Sequence, residues 1–180
     1  MGKKSKINTH QTSHTIDNTI TQELALYQRL ENLGRRAFLG AYLPGSLATI
    51  LQTVNANSEH PWDYSHKHVT VGYLLFLGGA ALGHYAQRQV KPDVLKNKLK
   101  TDGFYQSVRH PIYGGFRLSS LGMIVAQPTI LTALAVAGVF IGTEICAYYE
   151  EKKLELQFPG SYHFYRENTP KWIPGLRYRK

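Results

Sequence analysis

The run TILTALAVAGVFIGTEICAYY, from Thr129 to Tyr149, decides the fold, because Glu144 is its sole acidic or basic residue. Its length is close to the roughly 20 residues that carry a helix across a bilayer. Gln127-Pro128 stands immediately before it, and ahead of that lies another apolar run, from Ile112 to the residue before Pro128. So short a connection permits a tight reversal and nothing longer, which predicts an antiparallel helical hairpin. Two further runs lie upstream. Ala37 to Val54 is a marginal span that carries Pro44, Gly45 and Gln52. Val69 to Ala86 contains Gly78, Gly79 and Gly83, small residues that let helix backbones approach closely in lipid, with His84 read as an interfacial histidine.

The pattern therefore predicts an all-α fold: a polytopic membrane helical bundle of about four transmembrane helices. TQELALYQRLENLGRR, residues 21–36, reads as an amphipathic helix lying on the membrane or on the protein. Residues 1–20 are polar and rich in Ser, Thr, Asn and His, the composition of a disordered tail, which leaves 21–180 as a single domain. A soluble four-helix bundle is the rival architecture, since short apolar runs also form core helices.

The formal charge of +9 invites a nucleic-acid reading, but the placement of the basic residues argues against it. Arg29, Arg35 and Arg36 precede the first span, and Arg88, Lys91, Lys96, Lys98 and Lys100 crowd the loop after the second. The intervening loop NANSEHPWDYSHKH has one lysine. This alternation predicts that both termini and the 87–111 loop are cytoplasmic, with no nucleic-acid partner. Trp62, Tyr64, Trp172 and Tyr178 sit near the expected membrane boundaries, where amphipathic rings settle. The single cysteine, Cys146, excludes disulfides within the chain and is read as a packing residue; no metal-ligand spacing is found.

The hairpin returns two unusual stretches to one membrane surface: TDGFYQSVRHPIYGG, residues 101–115, and the segment from Glu144 to Pro174. Arg109 and His110 precede Pro111, a residue suited to a first helical turn, and a helix N-terminus favours an anion. Gly114 and Gly115 leave room for a ligand or a neighbouring backbone. Glu144, Tyr148, Glu151 and Glu155 fall at steps of four, three and four and so share a helical face, with Glu150 about 100° round from Glu151. These carboxylates suit a cation or a ribose diol, or equally a solvated helix end beside Lys152 and Lys153. Arg117, one to two turns into the third span, is read as a snorkelling or pocket-lining residue in preference to a partner for Glu144.

Gly103, Val108-Arg109-His110-Pro111, Tyr113 and Gly115 together resemble the G-x-x-x-x-V-R-H-P-x-Y-x-G block of the membrane-integral methyltransferases typified by isoprenylcysteine carboxyl methyltransferase and the phospholipid N-methyltransferases. Glu150-Glu151, Leu154, Phe158, Tyr162, Tyr165, Thr169-Pro170 and Ile173-Pro174 resemble the family's second block. Together they cover residues 101–174. The chain departs from the family at Phe104, where a proline is usual, at Gln106-Ser107, and at Phe158-Pro159-Gly160.

The resemblance implies an integral membrane enzyme that uses S-adenosylmethionine on an amphiphilic acceptor entering from the lipid: a prenylcysteine carboxylate, a lipid amine or a small lipophilic molecule. It also implies a cytoplasmic active site beneath a C-terminal cap. Arg109, His110, Tyr113, Gly115, Glu150, Glu151, Tyr162 and Tyr165 become the cofactor-binding residues, with His110, Glu150 and Glu151 also catalytic. A sterol-reductase-like enzyme using NADPH shares Arg-His-Pro, but its usual Asn-x-x-Gly-Glu continuation is absent, with Ile112 and Phe116 in those positions. A helical scaffold without turnover is the non-enzymatic alternative.

Overall fold

The computed structural model describes residues 9–59 and 67–175, and all regular structure in them is helical. Six helices follow in order: α1 (Thr9–Glu59), α2 (Lys67–Leu95), α3 (Phe104–Ser107), α4 (Pro111–Ala126), α5 (Ile130–Gln157) and α6 (Ser161–Asn168). Trp62, Tyr64 and Tyr178, read as interfacial anchors, lie outside the described residues, as do residues 1–8 of the expected tail.

The N-terminal region departs from the sequence reading. Residues 9–20, the expected amphipathic helix and the first apolar run form one continuous helix that passes through Pro44. Hydroxyls attend to the backbone just beyond the proline: Ser46 Oγ donates to the Tyr42 carbonyl at 2.6 Å and Thr49 Oγ1 to that of Gly45 at 2.8 Å. Such side-chain bonds help a proline-bearing helix persist where water is scarce.

Lys67–Val90 and Ile130–Gln157 are long and apolar enough to cross a membrane. The expected four spans are not reached among the described residues. α4 has 16 residues, about 24 Å at 1.5 Å per residue, against a hydrocarbon core of about 30 Å. α1 joins its apolar run to turns that carry Glu23, Arg29, Glu31, Arg35 and Arg36.

The predicted reversal is present. α4 ends at Ala126, and Thr129 caps α5 in a reciprocal box with Thr132, each side chain accepting from the other's backbone N–H. Yet the tightest packing is not within this hairpin. α2 lies antiparallel against α4, and α1 antiparallel against α5, and the α4–α5 contact joins the two pairs.

Both pairs close on small residues. A Cβ placed on Gly79 would stand 2.3 Å from the Ser119 backbone nitrogen, and one on Gly115 would stand 2.5 Å from that of Gly83. Between α1 and α5, Gly142 receives Phe38 in the same manner, at 2.5 Å from its Cβ. Hydroxyls bridge the helices as well: Ser119 Oγ donates to the Phe76 carbonyl at 2.9 Å and lies 2.8 Å from the Tyr42 hydroxyl.

The interior is thus rich in Gly, Ala, Ser and Thr, while large aliphatic side chains face outward. Ser119, Ser120, Thr132 and Thr143 are fully buried; Leu47, Leu74, Leu77, Ile130, Leu134 and Ile141 are exposed. Only 28% of the most apolar window of α2 is buried within the protein. This inverts the arrangement of a soluble helical bundle, in which the aliphatic stripe faces the core.

Candidate functional site

At the end of the bundle where α4 begins and α5 finishes, the chain 157–175 folds back as a cap. Phe158 and Gly160 turn the chain, with Gly160 at φ +81°, and α6 then lays Tyr162 and Tyr165 inward, both buried. Beyond α6 the strap is fastened at Arg109, whose backbone N–H donates to the Pro170 carbonyl at 2.9 Å. Its Nη1 donates to the Arg166 carbonyl at 2.8 Å.

The two motif blocks meet here. His110, the residue before α4, is buried and its Nε2 lies 2.9 Å from Oε1 of Glu151. A carboxylate accepts and does not donate, so Nε2 carries the proton of this bond. Arg109 Nη2 approaches the same oxygen at 3.1 Å. His110 Nδ1 faces Glu150 Oε2 at 3.8 Å, beyond hydrogen-bond reach. Both acids therefore turn toward one histidine, although they are successive residues about 100° apart on the helix.

Glu150, Arg109, His110, Tyr105, Tyr162 and Tyr165 line a cleft of about 70 Å³, closed on its remaining side by Val90, Leu154 and the 98–100 segment. An open cavity of about 790 Å³ shares Lys98, Leu99 and Tyr165 as walls and runs along α6. Lys100 is bonded to Asp93 and Asp102 at 3.1 and 2.8 Å, which fixes this segment against the end of α2.

Two buried polar atoms of residues that line the cleft lack a hydrogen-bond partner among the described residues: Arg109 Nε and the Tyr162 hydroxyl. Native proteins leave few such groups, and each costs about 1–3 kcal/mol if it stays unpaired. The Glu150 carboxylate, one third exposed, also makes no hydrogen bond among the described residues. The cleft thus presents donors and acceptors together, in a form that a ligand with both can satisfy.

The tyrosines are held neutral. Burial pushes the Tyr105, Tyr162 and Tyr165 phenols well above their ordinary range, and Glu150 adds to the effect in all three. The Tyr165 hydroxyl donates to the Tyr105 carbonyl at 2.6 Å, joining the cap to α3. Neutral aromatic faces beside carboxylates make a chamber that favours a cation.

Other expected site residues stand elsewhere. Tyr113 lies behind His110, stacked on it at 5.8 Å and packed with Phe38, Cys146 and Ala147, so it supports the histidine from the core and does not line the cleft. Gly115 faces α2 in the backbone seam. Of the predicted acidic face, Glu151 is bonded to the cleft residues Arg109 and His110 without lining the cleft itself, Glu155 pairs with Arg166 and Tyr148 is exposed. His84 is also exposed.

Arg117 lines a pocket, one of the two roles expected of it, and also makes the pair with Glu144 that the sequence reading ranked lower. Its Nη2 pairs with Glu144 Oε2 at 2.8 Å, and its Nε donates to Thr143 Oγ1 at 2.9 Å. The arginine side chain reaches along α5, bonding the Phe140 carbonyl, Thr143 and Glu144, and so spans the different distances of the two residues from the turn. Its guanidinium also lies 3.5 Å from the centre of the Trp172 ring. Trp172 was expected as a membrane anchor; instead it stands between Arg117 and His110, whose ring centre is 5.5 Å away. On the Arg117 side opens a groove of about 660 Å³, walled by α2, α4, α5 and the 172–174 strap. The sequence motifs mark Ile173 and Pro174 but pass over Trp172, and nothing in the apolar pattern alone announces the groove.

Comparison with known proteins agrees with the two blocks. The chain is similar to protein-S-isoprenylcysteine O-methyltransferase B of Arabidopsis thaliana, with 37% identity over 81 residues. The match covers 43% of this chain and 40% of the relative, so the chain spans well under half the length of the protein it matches. This likeness supports membership of the isoprenylcysteine-methyltransferase-like family. No protein-family model matches the chain, and no solved structure does.

Proposed function

We propose that this chain is an integral membrane methyltransferase that takes its methyl group from S-adenosylmethionine and delivers it to a lipophilic acceptor, with the cleft and both termini on the cytoplasmic side. The observation that supports this most is the meeting of Arg109 and His110 with Glu150 and Glu151 in a cleft that retains unpaired buried polar atoms. The outward-facing aliphatic side chains and two membrane-length helices support a bilayer setting. The partial likeness to a methyltransferase supports the chemistry.

The residues present suit such a cofactor. Its amino-acid carboxylate matches the unpaired Nε of Arg109, and its amine and ribose hydroxyls match the acceptors of Glu150 and Glu151. The three neutral tyrosine rings offer a cation an attraction of about 0.5–2 kcal/mol. The cavity along α6 adds room beside the narrow cleft, within the range of about 300–1,000 Å³ usual for ligand sites. When bound, S-adenosylmethionine supplies an electrophilic methyl group on a sulfonium.

The protein's own task is then alignment and exclusion of water. Glu151 fixes the His110 ring, Tyr113 and Trp172 brace it, and the 169–174 strap covers it. An acceptor that is already an anion needs no base. An amine acceptor must lose a proton, and Glu150 and the Nδ1 atom of His110 are the groups in the cleft positioned to receive it.

Titration calorimetry of the full chain in detergent with S-adenosylhomocysteine and, separately, with NADPH tests the reading. Binding of the first alone is expected. Binding of NADPH alone points to a reductase, and binding of neither points to a scaffold; either result overturns the proposal.

A further inference from the structure

Arg117 carries a full charge inside the apolar run of α4, and neither motif block includes it. A charge so placed is costly, and its partners show what it is used for. Its Nε donates to Thr143 Oγ1 at 2.9 Å, and its Nη2 donates to the Phe140 carbonyl at 3.2 Å and to Glu144 Oε2 at 2.8 Å. All three acceptors belong to one stretch of α5. An ion pair needs only the carboxylate; the two further bonds fix the plane of the guanidinium. That plane is largely buried, and Trp172 rests on it, with the guanidinium carbon 3.5 Å from the ring centre. Lys171, bonded to the other oxygen of Glu144, lies 5.3 Å from the same ring.

Trp172 needs an anchor of this kind, because the strap that carries it contains no helix to set a side-chain direction. His110 needs the indole in turn. Its one side-chain hydrogen bond runs from Nε2 to Glu151, while Nδ1, 3.8 Å from Glu150, has none among the described residues. A single bond at the edge of a planar ring fixes where that edge points and leaves the tilt of the ring about the bond open. Flat contacts close it: Tyr113 at 5.8 Å and Trp172 at 5.5 Å, between ring centres. Tyr113 is set by α4 and the core behind it. Trp172 is set by Arg117.

We infer that Arg117 and Trp172 are positioning residues for His110: the guanidinium, fixed on α5, holds the indole against the imidazole and so sets the tilt at which Nδ1 looks toward Glu150. Both line the groove and not the cleft, so they act on the donor site from outside it. The inference rests on the methyltransferase reading only for what His110 then does. A lysine in place of Arg117 keeps the charge but has no plane with which to make three bonds and a flat ring contact at once.

Diethyl pyrocarbonate acylates an imidazole nitrogen that bears no proton, which in His110 is Nδ1, and peptide mass spectrometry reads His110 separately from the exposed His163. In the full chain in detergent, burial should make His110 react at least about tenfold more slowly than His163. Trp172→Leu should speed the reaction at His110 by about tenfold, and Trp172→Phe, which keeps a flat face, by about threefold or less. Arg117→Gln should speed it by about three- to tenfold, and Arg117→Lys by about threefold although the charge is kept. The rate at His163 should not change. Alkylation of Cys146 by N-ethylmaleimide is the control for general loosening: this thiol is buried beside Tyr113 and should react as slowly as in the parent. The Trp172 variants lie on the strap and remain informative if loss of Arg117 disturbs folding.

Reactivity of His110 that is unchanged in Trp172→Leu and in both Arg117 variants, equal acceleration by leucine and phenylalanine, or Cys146 alkylation that rises in step with His110 would overturn the inference. S-Adenosylhomocysteine calorimetry on the same samples separates the two readings. Nucleoside binding by the parent, with His110 indifferent to Trp172 and Arg117, removes this inference alone. Faster reaction of His110 in variants of a protein that binds no nucleoside leaves the positioning standing and removes the methyltransferase reading.

Discussion

The cleft at His110 and the groove at Arg117 are linked by the Trp172 ring, which touches both residues, yet they are built by different means. The cleft is assembled from the ends of elements: the residues before α4, the last turns of α5, and α6 with its strap. Its polar groups hold one another, as in the hydrogen bond from His110 to Glu151 and the contact of Arg109 with the same oxygen. The groove is assembled from helix flanks, and its shape follows from how closely α2, α4 and α5 approach. Chemistry defines the first and packing the second. Trp172 and its Arg117 anchor apart, substitutions should therefore sort into those that alter one site and spare the other.

The largest separation is expected at Arg109 and Glu151. Arg109→Ala or Glu151→Gln should weaken S-adenosylhomocysteine binding about 10- to 100-fold, the range for a lost charge-assisted hydrogen bond in a shielded site. The emission maximum of Trp172, read in a Trp62→Phe background, should stay where it is, since Arg117 holds the ring. Calorimetry and fluorescence on the same preparation measure both, and a parallel change in the two would show that cleft and groove are not independent.

Adjacent glycines sharpen the contrast further. Gly115→Ala forces a methyl group against the Gly83 backbone and should lower stability by about 1–3 kcal/mol, read as a fall in the melting temperature in detergent. Gly114→Ala meets open space and should hold or raise the melting temperature, since alanine favours a helix over glycine by about 1 kcal/mol. Gly114→Leu should then fill the groove, shifting the emission of Trp172 to shorter wavelength while calorimetry with S-adenosylhomocysteine remains as before. A common response of the two positions would contradict the assignment of one to the seam and the other to the groove.

The smallest effect is expected at Tyr162→Phe. Its hydroxyl is buried without a partner among the described residues, so removing it should leave the unliganded protein equally stable or slightly more so. If a bound nucleoside satisfies that hydroxyl, its affinity should fall about three- to tenfold. Unchanged affinity would mean that the hydroxyl faces no ligand atom.

Much of the cleft was legible in the sequence because its parts are held in short motifs. Val108-Arg109-His110-Pro111 places the histidine immediately before a helix, and Glu150-Glu151 offers two acids at one helix end. The turn at Gln127-Pro128 explains how they come together. Tyr113 and Gly115 belong to the same motif, yet the structure gives them to the core and to the α2 seam. A motif records that a residue type recurs at a position, and it does not distinguish a ligand contact from the packing that holds a contact in place.

The N-terminal region was less legible. Charged turns and an apolar run looked like two helices, and Pro44 marked the second as marginal, but one helix runs through all of them, with the Ser46 and Thr49 hydroxyls bonded to carbonyls on either side of the proline. Arg117 illustrates a different difficulty. Counting residues from a turn compares backbone depths, whereas the length of the arginine side chain brings the Arg117–Glu144 pair together. Pairings between helices distant in sequence were the hardest to foresee, since α1 with α5 and α2 with α4 follow from where small residues line up.

The seam between α2 and α4 has one further consequence. With peptide groups meeting where other helices interpose side chains, the pair has no soft layer in which to slide, and it behaves as a fixed jamb. The strap from Thr169 to Pro174 is held otherwise, by the Arg109–Pro170 bond and the Lys171–Glu144 ion pair, so its attachment rests on a few polar contacts and not on a backbone seam.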